Sequence, residues 1–179
     1  MHIKSYLCLF ICLLTCLFAQ ANNKNSFSYG IFLYTVNKFV IIATGDSTVS
    51  ITSIDRSTRT HPLLSNDTLV IPNAIIHNGY EYQVEGIEDN AFISCKDIKH
   101  LIISEGIDYI GENAFSYCTE LQSIHIPSTI DYIGNAAFYD CSNLQYVSLP
   151  SSLEHIAPSA FDGCPCDSLV KQNMHAIIY

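Results

Sequence analysis

Basic charge is scarce. The 179 residues carry 8 Lys and Arg against 17 Asp and Glu, a formal net charge of −9 and a pI near 5.0. Nucleic acid is a poor partner for such a chain, because phosphates need Lys and Arg. Polybasic attachment to anionic lipid is excluded on the same ground. Charged residues of both signs make up 14% and apolar residues 49%, so the chain should fold rather than stay disordered. At this length there is room for one domain with a small cap. No Gly-rich phosphate loop and no nucleophile elbow occurs. Carboxylates paired at a cleft are not visible either. A Cys–His couple could be imagined from Cys141 and His125, but one belongs to a core pattern and the other points out of a strand. No enzyme is expected, and no cofactor.

Long apolar runs are also lacking, with one exception at the start. Lys4 gives a short positive stretch, Leu7 to Phe18 is apolar, and Ala19-Gln20-Ala21 has the form of a cleavage site. Residues 1–21 therefore read as a secretory signal peptide, with a mature start at Asn22. The run is short for a membrane anchor. A lipoprotein reading would use Leu13-Leu14-Thr15-Cys16. Thr before the Cys and the apolar sequence running on to Phe18 argue against it. Export to the cell envelope or beyond is the expected localisation, with no transmembrane span after cleavage.

What the chain does have is a repeat. Ile87, Ile110, Ile133 and Ile156 step by 23 residues. So do Phe92, Phe115, Phe138 and Phe161, and so do Cys95, Cys118, Cys141 and Cys164. A fixed period of this length is the mark of a stacked-coil solenoid in the leucine-rich-repeat range. Within one unit, Ile124 and Ile126 alternate around His125 as a strand with one buried face, and Pro127 closes it. Glu112 to Tyr117 has the length of one helical or 3₁₀ turn. Stacking should build a parallel sheet on one side, with ladders of Phe, Ile and Cys behind it. The architecture expected is an α/β leucine-rich-repeat solenoid of 23-residue repeats with short helical or 3₁₀ turns and an N-terminal β cap.

The flanks are less regular. Residues 22–68 are the expected capping segment. Tyr29 to Thr35, Phe39 to Thr44 and Val49 to Ile54 suggest three strands, with Gly45-Asp46 as a turn. The solenoid spans 69–170. Leu69-Val70-Ile71-Pro72 reads as a degenerate repeat strand within 69–86, followed by an insertion that carries Asn78-Gly79, a strong hairpin signal. Regular repeats fill 87–164. Residues 171–179 read as a C-terminal cap or tail, since an open last coil would expose apolar surface and a strand edge.

Eight cysteines suggest a disulfide framework, but Cys8, Cys12 and Cys16 lie in the leader. The remaining ladder points one way, and no His recurs beside it at zinc-ligand spacing. Small buried hydrophobes are the expected role. Cys166 lies outside the repeat, so Cys164-Pro165-Cys166 leaves both a local bridge and a free thiol open. The odd mature count leaves at least one thiol unpaired. Asp108 and Asp131 recur at 23, beside Tyr109 and Tyr132. They read as a solvated acidic edge with a Tyr ladder, because the ligand-dense loop of a calcium site is missing.

The unit Ile-Gly-x-x-Ala-Phe-x-x-Cys-x-x-Leu-x-x-Ile-x-Ile-Pro, written here as Ile110-Gly111 through Pro127, resembles the BspA-type leucine-rich repeat. Residues 87–164 match it closely, and 69–86 resemble the family's entry segment, with its Asn-Gly hairpin and the Tyr82-x-Val84 strand. The pattern breaks after Cys164, where Asp167 stands in the place of Ile98, Leu121 and Leu144. The resemblance implies a secreted or surface protein with a horseshoe-like solenoid, and a role in adhesion or protein–protein binding. It implies no catalytic residues.

Strand residues between buried positions face outward and form the candidate binding face: Thr68 and Val70, His100 and Ile102, Ser123 and His125, Tyr146 and Ser148. Extended solenoid sheets are common recognition surfaces, and an aromatic with few charges suits an interface. The Asn78-Gly79 hairpin is a second candidate. His100 and His125 should be diagonal neighbours, able to respond to pH, but a third metal ligand is missing, so no metal is expected. The expected partner is a host or envelope protein, or a glycan. The alternative is a structural part of the envelope that docks through its ends.

Overall fold

A computed structural model describes residues 33–36, 39–44, 47–54, 64–65, 67–77 and 79–171. The proposed signal peptide, most of the loop before the first repeat strand, Asn78 and the tail 172–179 lie outside them.

Among the described residues, alternating apolar residues and turn punctuation produce thirteen strands. The N-terminal segment supplies β1 (Leu33–Val36), β2 (Phe39–Ala43) and β3 (Thr48–Ile54), paired antiparallel in sequence. β4 (Leu64–Ser65) turns back onto β5 (Thr68–Ile71), the degenerate repeat strand. β6 (Ala74–His77) and β7 (Tyr80–Ile87) make the expected hairpin, with Ile75 opposite Tyr82 and His77 opposite Tyr80. Gly79 takes φ +82° at its tip, a conformation that glycine adopts without a Cβ penalty.

Each later coil then gives one longer and one shorter strand. These are β8 (His100–Ile103) with β9 (Tyr109–Ile110), β10 (Ser123–His125) with β11 (Tyr132–Ile133), and β12 (Tyr146–Ser148) with β13 (His155–Ile156). They sort into two sheets rather than the single parallel sheet expected. One runs β12-β10-β8-β5-β4. The other runs β1-β2-β3-β7-β9-β11-β13, with β6 also paired to β7. The second ladder was hard to read because β9, β11 and β13 are two residues long, too short for alternation to register. The cap is built into this sheet, since β3 pairs parallel with β7 through Val49 and Val84 and through Ile51 and Ile87.

The third side of each coil is neither strand nor helix. Ala91, Ile93 and Cys95 donate their N–H groups three residues back along the chain, to Glu88, Asn90 and Phe92. Between them, Asn90, Phe92 and Ser94 donate across to the carbonyls of Glu112, Ala114 and Ser116 in the next coil, at 2.8, 2.7 and 2.8 Å. The same alternation continues from Asn113, Phe115 and Tyr117 to Asn135, Ala137 and Tyr139. It requires left-handed φ at Asn90 and Ser94, at Asn113 and Tyr117, and at Ala136 and Asp140. For Tyr117 and Ala136 that conformation costs roughly 1–2 kcal/mol, offset by bonds that leave few backbone groups of the coil unpaired. The expected 3₁₀ turn is thus only half of the pattern.

Inside, the ladders stack as the period requires. Phe92, Phe115, Phe138 and Phe161 are all fully buried. Their ring centroids lie 4.9, 5.3 and 5.0 Å apart, with planes within 10° of parallel. The cysteines are buried too, and they do more than fill space. Cys118, Cys141 and Cys164 donate their thiols to the carbonyls of Phe92, Phe115 and Phe138 at 3.2, 3.2 and 2.9 Å. All five described cysteines are free thiols. After Cys164 the chain leaves the repeat. Cys166 and Val170 turn into the core, and residues 167–171 form a short helical turn.

Candidate functional site

Parallel pairing brings the outward residues of the longer-strand sheet into two rows. Thr68, His100, Ser123 and Tyr146 stand opposite one another in sequence along the first, and Val70, Ile102, His125 and Ser148 along the second. Their buried neighbours Leu69, Leu101 and Ile124 face the core, so the alternation holds across the sheet. Every sequence-predicted face residue therefore sits on one surface. Tyr146 is 73% exposed, Val70 46% and Ile102 40%. His100 Nδ1 lies 2.8 Å from Ser123 Oγ, a bond that orients the ring along the row. His125 is exposed on the second row, diagonal to His100 as expected. Beside the face, Lys99 Nζ meets Asp67 Oδ2 at 2.7 Å, and this pairing holds the Lys99 ammonium above its usual pKa.

The hairpin candidate is a separate place. Ile76 and Tyr80 are exposed there and Gly79 is open to solvent. It belongs to the other sheet, so the two candidates do not combine into one site. Cys141 is buried while His125 is exposed, which separates the only Cys–His couple considered.

The outer face of the shorter-strand sheet holds an aromatic row that was only partly read from the sequence. Tyr109, Tyr132 and His155 follow one another in register. The Tyr132 and His155 rings stack at 4.9 Å. Tyr109 is half-buried, and its hydroxyl donates to Glu88 Oε1 at 2.6 Å and lies 2.7 Å from Ser50 Oγ in the cap. Burial first, and the bond to Glu88 next, push its phenol well above the usual tyrosine range. Tyr109 thus ties the first regular coil to the N-terminal cap. His155 continues the 23-residue step from Tyr132, a signal available in the sequence but hidden by the change of residue type.

Glu85, Asp108, Asp131 and Glu154 make a four-carboxylate row beside these aromatics, joined through backbone bonds from each N–H to the preceding carbonyl. Asp108 is held above the ordinary aspartate value of 3.8 by desolvation, then by Asp131 and Glu85. A raised pKa means the folded state binds the proton more tightly. The stabilisation is fully present below the ordinary value and is lost as pH rises through the folded one. Asp108→Asn should therefore raise the urea midpoint at neutral pH. The gain should stay below about 1 kcal/mol because solvent screens an exposed carboxylate, and it should vanish near or below the ordinary aspartate pKa. An equal shift at both pH values would rule out the partly desolvated Asp108 charge, beside Asp131 and Glu85, as its cause.

Among the described residues no group of His, Cys, Asp or Glu has metal-binding geometry, and no helix is long and apolar enough to cross a membrane. Stacked coils with two parallel ladders, an internal Phe ladder and an atypical cap define a leucine-rich-repeat protein. The chain belongs to the BspA-type leucine-rich repeat family, whose model matches residues 73–178 in six copies. It is similar to a leucine-rich repeat protein from Bacteroides capillosus, at 26% identity and a TM-score of 0.64 over 74% of this chain and 91% of that one. A leucine-rich repeat protein from Bacteroides ovatus is similar at 27% identity and a TM-score of 0.64, again over 74% of this chain. That match covers only 33% of the Bacteroides ovatus protein. A leucine-rich repeat protein of T. pallidum shares the fold, at 24% identity and a TM-score of 0.55 over 68% of this chain and 52% of that one. No curated protein matches the chain.

Proposed function

We propose that this protein is a non-catalytic recognition module of the cell envelope or exterior, which binds a protein or glycan through the outer face of the β12-β10-β8-β5-β4 sheet. One observation carries the reading. The rows on that face place Tyr146, Ile102 and Val70 in solvent on a rigid parallel ladder, with His100 and His125 between them. An aromatic and apolar strip without charged side chains in its rows is the composition of an interface centre. Strand rows also hold their side chains at fixed spacing, which lowers the ordering cost of binding. The apolar leader at 7–18 and the family's repeat are consistent with export and display.

The test is a panel of matrix proteins, glycans and envelope fractions, probed with the protein and with a variant carrying His100→Ala, His125→Ala and Tyr146→Ala. A partner should be found whose affinity falls at least about tenfold in the variant, the equivalent of ~1.4 kcal/mol. Equal binding by both would move the site to the hairpin or the ends. A second reading, an assembly component of the envelope, has its own observation. Both sheets end among the described residues in strands with one open edge, β12 and β13, and open edges favour pairing. Solution mass that rises with concentration, with no ligand found on the panel, would favour it.

A further inference from the structure

The outer face of the shorter-strand sheet carries a second strip, on the other sheet from the recognition face proposed above. β7, β9, β11 and β13 place Gly86, Tyr109, Tyr132 and His155 in one row. The Tyr109 ring lies over Gly86, where a Cβ would collide with it. Its hydroxyl is already engaged by Glu88 and Ser50. Tyr132 stacks on His155 instead, with planes 13° from parallel. Among the described residues, the opposite face of this 41%-exposed ring has no aromatic partner.

One position earlier in each coil stand Glu85, Asp108, Asp131 and Glu154. Each N–H in this row donates to the carbonyl of the coil before, from Asp108 to Glu85, from Asp131 to Asp108 and from Glu154 to Asp131. The four residues therefore follow at about the 4.8 Å strand spacing, in a row roughly 14 Å long. Among the described residues none of the four has an ion pair. Lys99 and Lys171 are paired elsewhere, with Asp67 and with Asp162 and Asp167. Desolvation first, then the charges of Asp131 and Glu85, hold Asp108 above the ordinary aspartate value. Like charges side by side on a sheet are destabilising. A fold that keeps such a row, with no cation of its own beside it, breaks a local rule in the way functional surfaces do.

We propose that this strip docks an extended, arginine-bearing segment of a partner protein, with one guanidinium stacked on the open face of Tyr132 and the others paired with the carboxylate row. Charge complementarity selects a cationic occupant, since the row is acidic from end to end and the chain's net charge of −9 steers cations toward it. The exposed ring beside the row selects arginine over lysine. A planar guanidinium stacks on an aromatic face and offers a two-pronged fork to a carboxylate, whereas an ammonium is a hydrated point charge. The length of the row selects a segment over a free amine. Alternate side chains of an extended chain stand about 7 Å apart, so arginines at alternate positions span the row from Glu85 to Glu154. Each exposed pair contributes little alone, and several held on one chain act together.

The test titrates the protein against a fluorescent peptide of alternating arginine and glycine, read by anisotropy at low and moderate salt. Saturable binding that weakens with salt is expected. Tyr132→Ala leaves the net charge unchanged and should weaken binding at least about threefold, the scale of an exposed cation–π contact. Tyr132→Phe keeps the ring and should bind as the parent does. A twin peptide with lysine for arginine should bind at least about threefold more weakly to the parent. Asp108→Asn with Asp131→Asn should weaken binding about threefold to tenfold. Asp97→Asn with Glu120→Gln removes as much charge near the other sheet and should cost less than about twofold. The variant changed at His100, His125 and Tyr146 should bind the peptide like the parent, so this proposal and the recognition face fail separately. Absence of saturable binding overturns the proposal, as does a Tyr132→Ala protein that binds as tightly as the parent. Equal losses in the two charge-removing pairs would assign the binding to general acidity and overturn it. So would lysine peptide matching arginine peptide, or spermine displacing the probe as readily as unlabelled peptide does.

Discussion

Replacing Phe138 by alanine is expected to lower the unfolding free energy by about 3–5 kcal/mol, the range for deleting a fully buried aromatic side chain. The upper half of that range is expected here. Phe138 is completely buried and stacks on both sides, 5.3 Å from Phe115 and 5.0 Å from Phe161. The cavity would therefore lie between two coil interfaces. Neighbouring coils cannot collapse into it easily, because they are pinned by the bonds from Phe115 to Ala137 and from Phe138 to Ala160, both 2.7 Å. In a solenoid, stability is nearly a sum of units and nearest-neighbour interfaces, so one substitution weakens two terms. Urea titration followed by far-UV circular dichroism measures this. Tyr146→Ala, at a residue 73% exposed, is the control and should stay within about 0.5 kcal/mol of the parent. A Phe138→Ala loss no larger than the control's would mean that the Phe ladder does not hold the coils together.

Gly111→Ala is expected to be the next most damaging change, by about 1–3 kcal/mol, although it adds one methyl group. A Cβ at Gly111 would lie 2.7 Å from the Asp89 backbone nitrogen and 2.8 Å from the Glu88 carbonyl carbon. Neither belongs to a flexible side-chain end, so a coil must move. Movement would stretch the 2.8 Å bond from Gly111 N–H to the Ile87 carbonyl and the 2.6 Å bond from Glu112 N–H to Asp89 Oδ1. Gly134 is as tightly placed, 2.8 Å from the Glu112 nitrogen. In the last coil Ala157 stands at this position and still donates to Ile133 at 2.9 Å. Gly79→Ala provides the comparison. Nothing lies within 4 Å of its added Cβ, so only the left-handed backbone is penalised, by about 1 kcal/mol. Gly111→Ala proving as stable as Gly79→Ala would show that the coil spacing has slack.

The sequence by itself determined the period, the identity of the internal ladders, the hairpin and the outward face. Each rests on local rules. A 23-residue recurrence of Ile, Phe and Cys requires stacked coils, and Ile124 and Ile126 around His125 assign one side of the strand to the core. Parallel register then follows from the period alone, which is why His100 and His125 were placed correctly as diagonal neighbours. What binds that face is a matter of surface chemistry, and no pattern of buried residues specifies it.

Only the tertiary structure decided the rest, because it depends on contacts between coils. Two-residue strands such as β9 carry no alternation, so the second parallel sheet exists only through its neighbours. The left-handed residues Ala136 and Tyr117 have no local preference for that conformation and adopt it for bonds made to the next coil. The Cys thiols looked like inert filling until the preceding coil placed a Phe carbonyl against each of Cys118, Cys141 and Cys164. Cys166 was visible as an outsider to the repeat, but its burial arises from the inward turn of the chain after Cys164, where the Cys166 N–H donates to the Leu144 carbonyl. Local periodicity sets what each coil buries, and stacking sets which backbone and thiol groups find partners.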